Sequence, residues 1–391
     1  MNEYKKNLTA VGACALGRAF GYEPLVAHRL IDAAGSIEGL FSLPEREREE
    51  LLGPYSRYRG RLSDALIDEA ARELEKIYKD GYRFISLEDG DYPEPLRDCP
   101  DCPLGLYIRS DFPVTDIFDG APCISIVGTR DISPYGKEWC RRIVFTLAQA
   151  PVKPVIVSGM AIGVDINAHI AALEAGLRTV GVLPTGIDDV YPNYHRKAAE
   201  RIASSPGCAL ITDFPTGTTP QAATFLRRNR IIAGLGAATI LVESKKKGGG
   251  LITANTAFSY GRDVWVLPGR IEDPRSQGCL DLAGKHIADI ISDVTLLPEA
   301  LGLGRFNRRR KAELAEEIED RYRDAVSENE VRMLQELACH IKLNRGQNPE
   351  EIAGALGRDY MQTKRRISKL CSDGFVEQDL LMRCSIVVRN A

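Results

Sequence analysis

Residues 154–173 read PVIVSGMAIGVDINAHIAAL and contain a short apolar run, a turn and the start of a helix. The run at 154–157 is continuously apolar, which is typical of a strand buried on both faces of a parallel sheet. Gly159 and Gly163 permit a tight turn, and the residues from Asp165 onward have helical spacing. The stretch therefore predicts one strand–turn–helix unit of an α/β fold.

The same unit recurs before and after this stretch. We predict further strands at 123–127, 179–183, 209–212, 238–242 and 263–267, and helices at 136–150, 165–175, 194–203, 224–233 and 253–260. Apolar strands that alternate with helices predict an α/β fold with a Rossmann-like, doubly wound and mostly parallel sheet. Ligands of such sheets bind beyond the carboxyl ends of the strands, so the residues that directly follow each strand are the first candidates for a site.

The flanking sequence divides the 391 residues into further parts. The N-terminal part has helical spacing at 25–34, 44–52 and 61–80, and the proline-rich residues 81–107 are predicted to be a connector with short extended pieces. Two helices on either side of Gly357, followed by strand-like segments, predict a C-terminal winged helix. The predicted domains are a helical domain at 1–85, a Rossmann-like domain at 86–304, a charged linker at 305–330 and a winged helix at 331–391. The charge-dense residues of the linker are expected to form an exposed linker or helix.

Composition limits the classes of protein to which the chain can belong. Hydrophobic residues make up 44% and charged residues 27% of the chain, which is typical of a globular protein with a sizeable core. The formal net charge is −3, so a site for a polyanion has to be a local basic patch. The N-terminal residues fit neither a signal peptide nor a membrane anchor, and we expect a cytoplasmic protein. Cys99 and Cys102 supply two ligands where a structural zinc needs four, so we expect no metal site.

The first candidate site contains arginines. One of them directly follows a predicted strand, and the others lie within a predicted helix beside the sheet. Arg130 comes directly after the strand at 123–127 and offers a forked donor to a phosphate, with a surface arginine on a turn as the alternative. Arg228, Asn229 and Arg230 are predicted to contact phosphates from the helix at 224–233, and Phe225 offers a face on which a base can stack. A solvated helix face is the alternative for these residues.

The turn after the strand at 154–157 is the second candidate anion site. Ser158, Gly159 and Gly163 surround the start of a helix, where free backbone N–H groups and the helix dipole attract anions. Asp165 is expected to be the N-cap of that helix, and His169 is expected to pack in the core rather than to bind a ligand. This turn does not match the dinucleotide fingerprint GxGxxG.

A loop rich in lysine and glycine follows the strand at 238–242. Its flexible, electropositive backbone can wrap a phosphodiester chain, and its threonine either caps the next helix or donates to a phosphate. The candidate phosphate-binding residues of this loop are Lys245, Lys246, Lys247, Gly249, Gly250 and Thr253. The sequence contains no GxxxxGK[ST], HExxH or GxSxG motif, and no catalytic residue is assigned.

Several segments of the chain, in the order in which they occur, resemble those of the DNA-processing protein A (DprA/Smf) family. The similar segments are 127–130, 158–165, 191–192, 225–230, 249–254 and 266–269. The resemblance implies a SAM-like N-terminal domain, a Rossmann-like domain and a C-terminal winged helix. It also implies a homodimer without enzymatic activity or cofactor that binds single-stranded DNA, protects incoming DNA and helps to load RecA in natural transformation and recombination. The anion-pocket roles of the family fall on Arg130, Gly159, 228–230 and 249–253.

The chain departs from the family pattern in two loops. Residues 248–250 are three glycines where the family has Ser-Gly-Ser, and Asn193 and His195 occupy the positions that are basic and Asn in the family. The alternative function is that of a nucleotide-binding or nucleotide-processing protein of the lysine-decarboxylase-like phosphoribohydrolase type. Those enzymes share a Pro-Gly-Gly-x-Gly-Thr loop, whereas Pro268-Gly269 is followed here by Arg-Ile-Glu. A small-nucleotide sensor is a third hypothesis.

The predicted winged helix carries several cations whose role the sequence leaves open. They either contact duplex DNA or RNA, or they form a solvated face of a domain that docks to protein. The residues are Arg358, Lys364, Arg365, Arg366 and Lys369.

Overall fold

The structure, a computed structural model, describes residues 8–303, 311–344, 346–379 and 382–387. Its N-terminal part consists of the helices α1 (Leu8–Phe20), α2 (Pro24–Ala34), α3 (Ile37–Ser42), α4 (Glu45–Leu51) and α5 (Asp64–Lys79). Helices α2, α4 and α5 were expected from helical spacing. Helix α1 is buried on most sides, so its sequence lacks the polar face that marks an amphipathic helix.

The proline-rich residues that follow are part of the sheet. They form β1 (Arg83–Ser86), α6 (Glu94–Arg97), β2 (Gly105–Arg109) and α7 (Val114–Ile117), and β1 pairs with β2 in an antiparallel register from Arg83–Ile108 to Ser86–Gly105. The short extended pieces predicted within 81–107, at 83–86 and 105–108, are confirmed as β1 and β2, whereas the interpretation of the segment as a connector was wrong, because both strands belong to the sheet. The predicted boundary at residue 85 cuts through β1. The prolines lie between the strands, where no strand hydrogen bond is lost.

From residue 123 to residue 266 strands and helices alternate as predicted, and three further elements that were not predicted follow up to residue 300. The elements are β3 (Cys123–Val127), α8 (Pro134–Leu147), β4 (Val155–Gly159), α9 (Val164–Glu174), β5 (Thr179–Val182), α10 (Arg196–Ala203), β6 (Ala209–Thr212), α11 (Ala222–Leu235), β7 (Ala238–Leu241), α12 (Gly249–Ser259), β8 (Asp263–Val266), α13 (Gln277–Gly284), β9 (Asp289–Ile290) and α14 (Leu297–Ala300). Helix α12 begins four positions earlier than predicted, because glycines that read as a loop form its first turn.

One sheet of nine strands is formed by the described residues, in the order β1-β2-β6-β5-β4-β3-β7-β8-β9. The seven strands from β6 to β9 in this order pair in parallel, and β2 joins β6 in antiparallel fashion. The parallel part of the sheet starts in the middle with β3, and β4, β5 and β6 follow outward on one side of it. The chain then returns to the other side of β3 with β7. A doubly wound sheet has its ligand crevice at this reversal, here between β3 and β7.

Side chains of the strands alternate between two cores. In β3, Cys123 and Val127 pack with α11 and α12, whereas Ile124 and Ile126 pack with α8 and α9. Both faces of the strand are buried, which explains the continuously apolar strand sequences.

The N-terminal helices share a core with the sheet. Phe20 and Ile77 from these helices belong to the same buried cluster as Phe84, Tyr107 and Leu210 from β1, β2 and β6. The rings of Phe84 and Tyr107 lie 4.9 Å apart, edge to face. The helical part is thus packed on one face of the sheet rather than forming a separate core, which the boundary predicted at 85 did not anticipate.

The C-terminal part contains α15 (Lys311–Tyr322), α16 (Glu328–Leu343), α17 (Pro349–Ala355), α18 (Tyr360–Ser372), β10 (Val376–Gln378) and β11 (Cys384–Ile386). The run 305–330, predicted as an exposed linker or helix, contains the helix α15, and the expectation of exposure was wrong because Leu314, Ile318 and Tyr322 are buried in the core of this part. Residues 304–310 lie outside the described residues. Helices α17 and α18 are followed by the antiparallel pair β10–β11, the element order expected for the winged helix. In the part of the chain that the structure describes, no helix is long and apolar enough to cross a membrane.

Candidate nucleic-acid interface

Three loops meet at the carboxyl edge of the sheet. They follow β3, β4 and β7, and they pack so closely that glycines are required at the contacts. A Cβ atom at Gly250 would lie 2.8 Å from the Cα of Gly128, and one at Gly163 would lie 2.2 Å from the carbonyl oxygen of Thr129. Gly163 also has a φ of 87°, which favours glycine. These contacts bring the loops together at the topological switch point.

Glu243 holds the loop after β3 in place. Its backbone carbonyl accepts a hydrogen bond from the N–H of Thr129 at 2.7 Å, and its buried carboxylate accepts one from the N–H of Ser133 at 2.9 Å. The hydroxyl of Ser133 donates to the same carboxylate. Sequence reasoning did not assign this role to Glu243. Its position at the end of an apolar strand was the available signal, because a carboxylate there has to find donors.

The exposed side chain of Arg130 lies over the ring of Phe225. The guanidinium carbon is 4.6 Å from the ring centre, a distance typical of a cation–π contact. Tyr191 meets the same ring edge to face at 5.8 Å and is itself 42% exposed. The predicted phosphate ligand, which is exposed, and the predicted stacking residue, which is half-buried, therefore lie together at the strand edge.

Arg228 lies behind this surface and is buried. Its guanidinium carbon is 5.9 Å from the centre of the Phe225 ring, and one of its N–H groups donates to the carbonyl of Val182 at 2.5 Å. The side-chain oxygen of Asn229, which is also buried, accepts from Arg228 at 3.2 Å. Burial lowers the pKa of Arg228 to about 10, and the neighbouring Arg130 lowers it as well, whereas Asp165 opposes the shift.

The turn after β4 is held by buried polar groups. The hydroxyl of Ser158 donates to the carbonyl of Ile126 at 2.6 Å. A Cβ atom at Gly159 would collide with Arg228 and with Asp165, so only glycine fits beneath this pair. Gly163 precedes the first residue of α9, and Asp165 lies in the first turn rather than at the N-cap position, which corrects the expectation of a capping residue.

Asp165 and His169 have opposite pKa shifts. Burial raises the pKa of Asp165 to about 6, against the effect of Arg228 and of hydrogen bonds from the Ala161 backbone and Ser158. Burial lowers the pKa of His169 to about 4. The two ring nitrogens of His169 lie 2.8 Å from the carbonyl oxygen of Gly159 and 2.7 Å from the hydroxyl of Thr179. His169 is thus a core residue, as predicted.

Arg230 is directed away from the strand edge. It is buried and forms an ion pair with Asp213 at 2.8 Å, and it also donates to the carbonyl of Asp101. Arg227 shares the same carboxylate at 2.9 Å and lies over the rings of Tyr22 and Phe214. The structure therefore uses Arg230 within the core, which corrects its assignment as a phosphate ligand.

The lysine loop is exposed beside the Arg130 turn. Lys245, Lys246 and Lys247 are all exposed, and the ammonium group of Lys245 lies 4.0 Å from the carboxylate of Asp131. Thr253 is buried in the second turn of α12, where its hydroxyl lies 3.4 Å from the carbonyl oxygen of Gly249. It is therefore neither a cap nor an accessible donor, contrary to expectation.

The structure separates the predicted phosphate ligands into two groups. The exposed group contains Arg130, Lys245, Lys246, Lys247 and Gly249. The buried group contains Ser158, Gly159, Gly163, Arg228, Asn229, Arg230, Gly250 and Thr253. The arginine and the lysines of the exposed group place cations at the rim. The buried residues support the turns that lie beneath this rim, except Arg230, which pairs with Asp213.

The two cysteines of the CxxC motif are buried. Burial raises the pKa of Cys99 to about 11 and that of Cys102 to about 12, which keeps both thiols protonated at neutral pH. His28 approaches Cys102, with a ring nitrogen 2.9 Å from its carbonyl oxygen. Among the described residues, no group of three His, Cys, Asp or Glu side chains could hold a metal ion.

Residues 83–302 match the family model described as DNA recombination-mediator protein A. The chain is similar to the protein Smf of Synechocystis, with 37% identity over 226 residues, which cover 57% of this chain. The chain spans 55% of the length of that relative.

Two solved structures also resemble the chain. The X-ray structure of DNA processing protein A from Streptococcus pneumoniae matches with a TM-score of 0.61 and 25% identity, and the match covers 76% of this chain and 98% of the other. A structure of DNA processing protein A from Helicobacter pylori, described for its single-stranded DNA binding mode, matches with a TM-score of 0.50 and 30% identity, covering 56% of this chain and 95% of the other.

Proposed function

Because the chain belongs to the DNA recombination-mediator protein A family, a family of DNA processing and recombination, we propose that it binds single-stranded DNA at the carboxyl edge of its sheet. The exposed guanidinium of Arg130 over the ring of Phe225 is the observation that carries this proposal. A cation beside an aromatic face matches the two parts of a nucleotide in a single strand, its phosphate and its base. The similarity to a Helicobacter pylori protein described for its single-stranded DNA binding mode supports the same ligand.

The phosphate backbone would pass from Arg130 to the lysine loop. Gly128 and Gly250 bring the two loops into contact, so cations on both can follow one chain. Lys246 and Lys247 are exposed on the outer part of that path. Single strands are bound in this way by proteins that combine a basic groove with aromatic residues.

The direct test replaces Arg130 with alanine and measures binding of a fluorescent oligothymidine at two salt concentrations. The loss of a charge-assisted phosphate contact should weaken binding by about 1–3 kcal/mol, and the loss should shrink as salt rises. Arg141 provides a matched control, because it is also an exposed arginine over a phenylalanine, Phe145, at 4.1 Å, but lies within α8. Arg141→Ala should bind like the wild type.

Two outcomes would contradict the proposal. Unchanged affinity of Arg130→Ala would remove the strand edge as the DNA site. A mononucleotide that binds as tightly as the oligonucleotide would favour a small-nucleotide sensor, and release of a free base from a nucleoside monophosphate would favour a phosphoribohydrolase.

We propose further that binding serves recombination rather than catalysis. Protection of incoming single strands, assistance to RecA loading and homodimer formation follow from the resemblance to the family, and this role would place the chain in the cytoplasm. Nuclease protection of a bound oligonucleotide and RecA filament assembly on coated DNA test the first two roles. Variant Arg130→Ala should fail in both assays, and light scattering measures the oligomeric state.

A further inference from the structure

Helix α18 is strongly basic in a chain with a net charge of −3. Its sequence, YMQTKRRISKLCS, holds four cations and no acidic residue. Its N-cap residue, Asp359, uses its carboxylate to accept a hydrogen bond from the N–H of Gln362 at 2.9 Å. The helix therefore concentrates positive charge on one element of the C-terminal part.

Some of the surrounding cations are used to hold the helices together. Arg366 donates two hydrogen bonds to the carboxylate of Glu330 on α16, at 2.9 and 2.8 Å. Arg358 pairs with Glu336 on the same helix. The basic residues around α18 thus include a group that fixes its orientation on α16.

Lys364 and Arg365 belong to a second group. Both are exposed, and neither forms an ion pair with another residue in the described ranges. The ammonium group of Lys364 lies 5.7 Å from the ring centre of Tyr360, one turn earlier on the helix. These two cations face solvent and are available to a ligand of opposite charge.

The exposed face of α18 also carries uncharged contact residues. Tyr360 is 41% and Met361 is 68% exposed, and Ser368 extends the same face by another turn. The opposite face packs through Ile367 and Leu370, which are buried in the core of the C-terminal part. An apolar and aromatic surface flanked by cations fits base edges and thymine methyl groups between phosphates better than it fits solvent.

The position of α18 in the fold matches a helix that enters the major groove. Helix α17 precedes it across a short turn in which Gly357 has a φ of 62°, and the hairpin β10–β11 follows it. In helix-turn-helix proteins the second helix lies in the major groove and reads bases with residues near its N-terminus. Tyr360, Met361 and Lys364 occupy that end of α18.

The hairpin β10–β11 of the C-terminal part lies beside the part that contains the nine-stranded sheet. Arg383, beside β11, donates to the carbonyl of Lys285 at the end of α13, at 2.9 Å. This contact is made by the hairpin side of the C-terminal part. The exposed face of α18 is not covered by any of the described residues.

We propose that the exposed face of α18 binds double-stranded DNA in its major groove, with Lys364 and Arg365 on the phosphates and Tyr360 and Met361 toward the base edges. This site is separate from the single-strand site at Arg130. Together they would let one chain hold a junction between duplex and single-stranded DNA.

The experiment uses the full chain and two probes, a blunt duplex of 20 base pairs and an oligothymidine. The double variant Lys364→Glu/Arg365→Glu should bind the duplex at least tenfold more weakly and should bind oligothymidine like the wild type. Removal of two phosphate contacts should also reduce the slope of log affinity against log salt by about 2. Arg130→Ala should show the reverse pattern, so failure of one site is distinguishable from failure of the other.

A charge-matched control comes from two exposed arginines outside α18, Arg323 directly after α15 and Arg332 on α16. Arg323→Glu/Arg332→Glu makes the same change of charge away from α18 and should keep duplex binding within twofold. Thermal unfolding of each variant verifies that the C-terminal part is folded. Wild-type duplex affinity in the α18 variant would overturn the proposal and assign this face to a protein partner, and an equal loss of single-strand binding would overturn the separation of the two sites.

Discussion

The rim of the strand edge and the interior just behind it both contain arginines, but they use them differently. Arg130 is exposed over Phe225 with its guanidinium open to solvent, whereas Arg230 is buried in an ion pair with Asp213. Arg228 lies between these extremes, buried yet only 5.9 Å from the same ring. The same type of side chain therefore has two roles in this part of the fold. Arginine at the rim is available to a ligand, and arginine in the interior holds the surrounding structure in place.

This difference predicts that substitutions at the rim change binding and that substitutions in the interior change stability. Exposed ion pairs stabilise folded proteins little, whereas the loss of one partner of a buried pair leaves an uncompensated charge. Variants of the two regions can therefore separate the two effects.

The largest effect is expected for Asp213→Ala. Asp213 is buried and pairs with both Arg227 and Arg230, so its removal leaves two largely buried guanidinium groups without their carboxylate. We expect the free energy of unfolding to fall by about 3–5 kcal/mol. Denaturant unfolding measures it. The exposed Asp131, paired with Arg275 at 3.0 Å, is the matched control, and Asp131→Ala should change stability by less than about 1 kcal/mol. Similar values for the two variants would contradict the distinction.

His169→Gln tests whether the interior depends on an uncharged group. The pKa of His169 is lowered from 6.5 to about 4, so the unfolded chain takes up a proton between these values while the folded chain does not. The stability that neutral His169 provides is therefore lost as pH falls through this window, by up to roughly 3 kcal/mol. The variant should lose less stability than the wild type between pH 6.5 and pH 4.

The nearby Asp165 has the opposite dependence. Its pKa is raised to about 6, so its contribution is lost as pH rises from about 4 through 6. Asp165 is present in both the wild type and the His169→Gln variant. The difference between their dependences of stability on pH therefore reports the contribution of His169. Unfolding curves at several pH values measure that difference. Equal slopes for variant and wild type would show that His169 takes up its proton in the folded state.

Phe225→Ala sharpens the comparison at the rim. Loss of the ring removes a stacking surface and should weaken binding of oligothymidine by about 1–3 kcal/mol. Phe145→Ala in α8 removes a ring that also lies beneath an arginine and accounts for the loss of packing. If both variants bind equally well, Phe225 contributes to DNA binding neither as a stacking surface nor as a support for Arg130.

The smallest effect is expected for Lys246→Ala and Lys247→Ala. Both side chains are exposed, so each variant should keep wild-type stability and lose at most about 1 kcal/mol of binding free energy at moderate salt. The sharper readout is the slope of log affinity against log salt, which should fall by about 1 for each lysine that contacts a phosphate. A slope that stays constant in both variants would place the DNA away from this loop.

The strands of the sheet were predictable because burial on both faces leaves a local signal. The run at 123–127 coincides with β3, and the run at 154–157 locates β4. The short extended pieces predicted within 81–107 coincide with β1 and β2, but the sequence did not indicate that they join the sheet, because their surroundings are rich in proline and they lie at the far edge of the sheet. For α15 a helix was one of the two predicted forms, but its burial was missed. Leu314 and Ile318 have the spacing of a buried helical stripe within a run whose density of charge indicates an exposed face.

The site was predictable in location but not in detail. Adjacent strand ends of a doubly wound sheet have to meet, so Arg130 and the lysine loop could be placed together. Arg230 is buried in an ion pair with Asp213, and Asp165 lies close enough to Arg228 to oppose the lowering of its pKa. Both carboxylates are distant in sequence from these arginines and carry no local mark of this proximity. The role of Gly250 depends on Gly128 in the same way, because a close contact of two backbones is visible only in three dimensions.

The common core of the N-terminal helices and the sheet has a practical consequence. A chain cut back to residues 83–302, the extent of the family match, would present Phe84, Tyr107 and Leu210 to water. Such an apolar patch favours self-association, so the shortened chain should precipitate or aggregate rather than serve as a minimal DNA-binding fragment. The helices from α1 to α5 thus act as a fixed lining of the sheet, and any useful deletion has to leave them attached.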